Sequence, residues 1–280
     1  IPHTLNNGYI PHTPDNGYIP HAPDNGYITR KKLKKIVQNT IWCLSTIYKI
    51  KLRNCKMDSL LFLATVASGL RNTLQRKPHE RPSLDNCFYH YMLHLNGTTS
   101  VIPKTKNKGG VGLELERLLG VPKSSACLDC SDGEIKAFPV TKTTSRSQLR
   151  KEFNLAIGDF MASETVAITM MNPATLPTTP FESSRLYKKI QHILFVPYFR
   201  YGDSVQWLEP IIFTKDLHIY QQIKKDYEDI QLYYHKNQLT KSNIGTFLQV
   251  RTKGAGGKAP KTHAFYFRRQ FLIQLFHHFK

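Results

Sequence analysis

Apolar residues between positions 59 and 74 recur at helical spacing: Leu60, Leu63, Ala64, Ala67, Leu70 and Leu74, with Asp58 or Ser59 as the cap. Pro78 and Pro82 break that helix, and a second, shorter one is predicted over 86–95. A third is predicted over 110–119, stopped by Gly120 in the C-cap role. Strand patterns follow at 134–140, 152–158 and 165–170, the last ending before a Pro- and Thr-rich stretch at 173–180. Residues 187–196 read as a passage from helix to strand, and 215–236 as a long helix. In that helix Tyr220, Ile223, Tyr227, Ile230 and Tyr234 form the apolar stripe. Strand patterns at 246–251 and 264–268 precede a short apolar helix that runs to Phe279. Strands and helices mixed in this order predict an α/β or α+β fold centred on a mixed sheet.

The first 27 residues stand apart as three nonapeptides, each running from Ile-Pro-His to Asn-Gly-Tyr. Pro and Asn-Gly at this density specify turns, and three short copies bury almost nothing. A basic, irregular stretch follows from Arg30 to Lys56, and the first methionine is Met57. Residues 1–56 therefore read as a dispensable extension, and 57–280 as the functional domain. The 280 residues, 40% of them apolar, suffice for a sizeable core.

Charge changes the picture more than size does. The chain carries +19 formally; the first 56 residues hold nine basic and two acidic groups, which leaves 30 against 18, or +12, on the rest. The basicity thus belongs to the domain, and a polyanion is the natural partner. Five cysteines at 43, 55, 87, 127 and 130 show no disulfide spacing, which points to a reducing, intracellular compartment, cytoplasmic or nuclear. Cys127-x-x-Cys130 lacks a second pair to complete a zinc site, and Cys87, His90 and His94 are explained by a half-buried helix face. The apolar run from Leu60 to Ala67 is too short to span a bilayer, so no membrane partner is expected.

Lys253-Gly254-Ala255-Gly256-Gly257-Lys258 lacks the first glycine and the final Ser or Thr of a nucleotide-binding loop, and reads as a basic loop beside a nucleic-acid backbone. Neither a Gly-x-Ser-x-Gly elbow nor a His-Glu-x-x-His pair is present, which argues against serine hydrolase and metalloprotease chemistry. Glu134-Ile135-Lys136 is the more informative stretch. On a strand, residues two apart share a face, so Glu134 and Lys136 project together. Asp129 or Asp132 from the preceding loop would join Glu134 in holding a divalent cation, with Lys136 beside it to orient water or steady developing negative charge. Phosphodiester cleavage needs those parts.

Further segments fall into line with this strand. They are Lys108-Gly109-Gly110-Val111-Gly112, Glu116 on the following helix, Leu194-Phe195-Val196-Pro197, Phe247-Leu248-Gln249-Val250-Arg251-Thr252-Lys253, and Phe265-Tyr266-Phe267-Arg268-Arg269. In this order and spacing, over residues 100–280, the chain resembles the MutH family of GATC endonucleases, which includes the mismatch-repair nicking enzyme and related type II restriction enzymes. The resemblance implies a restriction-endonuclease-like PD-(D/E)xK core, a central mixed sheet flanked by helices, and Mg²⁺-dependent, methylation-sensitive cutting of duplex DNA. Its implied partners are double-stranded DNA and a MutL-like activator, with the protein a monomer or a transient dimer on DNA.

Carried over by position, Glu116, Asp129 and Glu134 are the implied metal ligands, with Asp132 a rival to Asp129 and Glu114 an ordinary exposed glutamate. Lys136 is the implied catalytic lysine and Lys189 a second one, with Lys188 its competitor. Lys108 would contact phosphate, Arg251 and Lys253 would face DNA from a strand end, and Tyr266 would sense the adenine methyl group. Arg268, together with Arg269, would meet the DNA backbone. A catalytically silent DNA-binding relative is the alternative, and a basic RNA-binding or structural protein a third, weaker one.

Overall fold

The computed structural model describes residues 80–104, 109–215, 217–236, 244–253 and 262–278, all within the unit Trp42–Lys280. The nonapeptides, the 1–56 extension, the helix expected at 59–74, Lys108 and the glycine-rich loop lie outside the described residues, as does the side chain of Lys253. In chain order the elements are α1 (Leu84–His94), β1 (Thr99–Val101), α2 (Gly110–Leu118), β2 (Glu134–Lys142), α3 (Gln148–Glu152), β3 (Phe160–Ala162) and β4 (Val166–Met171). After two 3₁₀ turns come α4 (Arg185–Lys189), β5 (His192–Tyr201), β6 (Ser204–Trp207), β7 (Ile211–Thr214), α5 (Ile219–His235), β8 (Leu248–Lys253), β9 (Thr262–Phe267) and α6 (Arg269–His278).

The main sheet runs β1-β6-β5-β2-β3, with β7 also paired to β5. Its central pair, β2 and β5, is parallel, with Glu134 opposite Ile193; its other pairs are antiparallel. Residues 193–197 are buried without a break, because both faces of a central strand are covered. Ile193 and Phe195 enter one core with Tyr227 and Phe271. Leu194 and Val196 enter the other with Leu84, Leu115 and Trp207. The mixed sheet flanked by helices is the fold class the sequence predicts. A second sheet, β4-β9-β8, is antiparallel throughout.

The strand expected at 152–158 is a correction. Ser147 caps α3 by accepting the Arg150 N–H at 3.2 Å, and the Arg150 guanidinium closes on the Leu155 carbonyl at 2.8 Å. Asn154 then turns at φ 50°, so Leu149 and Phe153 reach the core from a helical turn, and the next strand begins at Phe160. Among the described residues no helix is long and apolar enough to cross a membrane.

Candidate active site

Parallel pairing builds the site. Because Glu134 lies opposite Ile193, the end of α4, four residues before Ile193, comes alongside the start of β2. Lys189 there donates to Glu134 Oε1 at 2.5 Å. Lys136, two residues along β2 and on the same side, donates to that oxygen at 2.6 Å. Its ammonium also lies 3.6 Å from Asp129 Oδ2. Lys188, the competitor of Lys189, is exposed.

The two aspartates of the loop part company. Asp129 Oδ2 accepts the Ile135 N–H at 3.0 Å, which turns its carboxylate toward β2. Asp132 Oδ1 accepts the Leu84 N–H at 2.7 Å instead, at the first turn of α1. Glu116, on α2, sits half-buried, and its carboxyl pKa is raised, by burial first and by Asp129 and Glu134 as well, with Lys136 and Lys189 acting against them. Glu114 pairs with Arg117 at 2.6 Å on the solvent side. Burial pulls the Lys136 ammonium down, yet Glu134, Asp129 and Glu116 outweigh it and hold its pKa above the ordinary lysine value.

Glu134 is 1% exposed, and its Oε2 has no hydrogen-bond partner among the described residues. An orphaned buried carboxylate oxygen costs more than a neutral one, which alone costs about 1–3 kcal/mol, and a cation would relieve it. Three carboxylates against two ammoniums leave the cluster at −1 when all are ionised, so its donor chemistry fits a divalent cation. Among the described residues, no three His, Cys, Asp or Glu side chains are gathered as a preformed metal cage.

Arg251 and Tyr266, two of the residues expected at DNA, lie on the second sheet. Arg251 is exposed on β8, donates to Thr165 Oγ1 at 3.0 Å and lies 5.7 Å from the centroid of the Tyr266 ring. Tyr266 is half-buried on β9, opposite Ala167 and Gln249. Arg268, just after β9, is half-buried, its guanidinium donates to the Ile244 carbonyl at 3.3 Å, and burial lowers its pKa against the pull of Asp226. Arg269 likewise donates to the Ala162 carbonyl at 3.0 Å.

Asp226 escaped the sequence reading, although it falls on the apolar stripe of α5. It is 1% exposed. Its Oδ1 accepts the Thr246 N–H at 2.9 Å and the Gln222 amide at 2.8 Å. Oδ2 accepts the Phe247 and Leu248 N–H groups at 2.6 and 2.8 Å. Gly245 makes the tight turn possible: its φ is +84°, and a Cβ there would meet the Leu248 carbonyl at 2.3 Å. One carboxylate thus holds the entry to the strand that carries Arg251.

An acid and a lysine two apart thus open a central strand of a mixed sheet. Residues 123–231 match the family model described as MutH, DNA mismatch repair enzyme MutH. That stretch contains Asp129, Glu134, Lys136 and Lys189; Glu116, Arg251 and Tyr266 lie outside it. A solved structure described as a restriction endonuclease MvaI–cognate DNA substrate complex aligns with 64% of this chain and 90% of its own, at 13% identity and a TM-score of 0.31. No curated protein matches the chain in sequence.

Proposed function

We propose that the protein is a Mg²⁺-dependent endonuclease that cuts duplex DNA at GATC and responds to adenine methylation. The observation that carries this reading is the meeting of Asp129, Glu134, Lys136 and Lys189 at the start of β2, with Glu116 on α2 near enough to feel their charges. Glu134 through Oε2, with Asp129 and Glu116, would hold the metal. Bound there, Mg²⁺ supplies phosphate polarisation and a water of lowered pKa. Lys136 faces the charge that develops on the pentacovalent phosphate, and its three acidic neighbours keep it protonated for that task. Lys189 holds the same Glu134 oxygen that Lys136 does. In-line attack would leave a 5′-phosphate and a 3′-hydroxyl.

Recognition would fall to the second sheet, with Arg251 toward guanine or phosphate and Tyr266 toward the adenine methyl group. Lys108 and Lys253 would contact phosphates. The +12 on residues 57–280 predicts steeply salt-dependent binding. A catalytically silent DNA-binding relative is favoured by one observation, the lack of a preformed cage among the described residues.

Two experiments separate these readings. Duplexes with one GATC site, unmethylated, hemimethylated or fully methylated, should be cut in Mg²⁺ to different extents, while a scrambled site is spared. Equal cutting of all four removes the GATC assignment. Metal linkage is checked by thermal unfolding: a divalent cation at ten times its dissociation constant should stabilise the protein by about 1.4 kcal/mol, raising Tm by roughly 3–5 °C. Glu134→Gln should abolish that rise; a rise that survives it places the cation elsewhere.

A further inference from the structure

The loop that delivers Asp129 has no secondary structure of its own to hold it, yet its carboxylate is aimed at β2. The segment just before and within the first turn of α1 does the holding. The Arg81 guanidinium donates through one nitrogen to the Leu128 carbonyl at 3.0 Å and the Cys130 carbonyl at 3.3 Å, the two carbonyls that bracket Asp129. The Ser131 N–H donates to the Pro82 carbonyl at 2.9 Å. Asp132 takes the Leu84 N–H at 2.7 Å, and the thiols of Cys130 and Cys87 touch at 3.6 Å, both buried. Gly133 closes the loop where nothing larger fits, since a Cβ would meet the His192 carbonyl at 2.8 Å and Leu84 Cδ2 at 2.9 Å.

We infer that Arg81 is a positioning residue for the Asp129 carboxylate, acting through the two carbonyls on either side of it. Residues 81–87 form a strap that lies outside the stretch matching the family model, so this chain supports its acid loop from sequence that the match does not cover. Charge makes the contact strong, because a guanidinium donating to two carbonyls forms charge-assisted hydrogen bonds. Groups that orient a ligand in this way typically govern metal affinity by ten- to hundredfold. The functional consequence rests on the proposed metal site; the positioning does not.

The test uses the full chain as wild type, Arg81→Ala and Arg81→Lys. Amide hydrogen exchange is read at Ile135, whose N–H reports on the Asp129 carboxylate. Arg81→Ala should exchange at Ile135 at least about tenfold faster while the amide of Phe138, in the same strand, is unchanged; Arg81→Lys, which keeps the charge and fewer donors, should fall between. Unchanged exchange at Ile135 in folded Arg81→Ala overturns the inference, and so does equal acceleration at Phe138, which would mean general loosening. Mn²⁺ titration followed by electron paramagnetic resonance is the second arm, with a ten- to hundredfold weaker affinity expected in Arg81→Ala. Wild-type protein that binds no Mn²⁺ overturns the metal site under Proposed function, while the exchange result still decides for or against Arg81.

Discussion

Lys136→Ala should lose about 10²–10³-fold in kcat on a GATC duplex, the cost of removing one preorganised donor to developing negative charge. The duplex should bind as before, because Lys136 is only 18% exposed and faces Glu134 at 2.6 Å and Asp129 at 3.6 Å. Its removal takes the ionised cluster from −1 to −2, so a divalent cation should bind equally well or more tightly even as catalysis fails. That combination separates a catalytic lysine from a structural one. A variant that keeps wild-type kcat, or that loses cutting only because metal or DNA no longer binds, removes Lys136 from the chemistry.

Asp226→Ala should destabilise the fold by on the order of 4 kcal/mol. Its carboxylate accepts four hydrogen bonds, three of them from consecutive backbone N–H groups at the entry to β8. Alanine leaves those donors without a partner in a site that is 1% exposed, and each orphaned donor costs about 1–3 kcal/mol before relaxation. Thermal unfolding should register a Tm lower by about 10 °C. Asp226→Asn, which keeps one acceptor oxygen, should lose roughly half as much. Since Arg251 stands three residues beyond Leu248, discrimination between GATC and scrambled duplexes should weaken in whatever folded protein remains. A loss under about 1 kcal/mol for the alanine variant would mean that the turn at Gly245 holds itself.

Where one periodicity dominated, the sequence was readable. The α5 stripe of Tyr220, Ile223, Tyr227, Ile230 and Tyr234 is buried as its spacing predicts, and Gly120 follows the end of α2. Short strands were not readable. β6 and β7 have four residues each, too few for alternation to stand out, and they exist because β5 offers them partners. At 152–158 a local cap from Ser147 overrode an apolar pattern that also suits a strand. The start of the candidate site was legible in the two-residue spacing of Glu134 and Lys136, because a strand turns that spacing into a shared face. Asp129 against Asp132 and Lys189 against Lys188 depended on which way a loop and a helix end turn, and only tertiary contacts decide that. Arg81 and Asp226 were invisible because each acts on backbone groups distant in sequence, 47 and 20 residues away at the nearest. The same holds for the contact of Arg268 with a carbonyl 24 residues upstream.

The acid–lysine cluster at the start of β2 should break phosphodiester bonds. The most direct measurement is single-turnover cleavage of an end-labelled duplex carrying one GATC site, in Mg²⁺ and in EDTA, with the product ends mapped. Cutting at that site in Mg²⁺ alone, leaving 5′-phosphate and 3′-hydroxyl ends, is the expected result. Intact DNA under both conditions, with the duplex still bound, would contradict it and leave a DNA-binding protein without catalytic power.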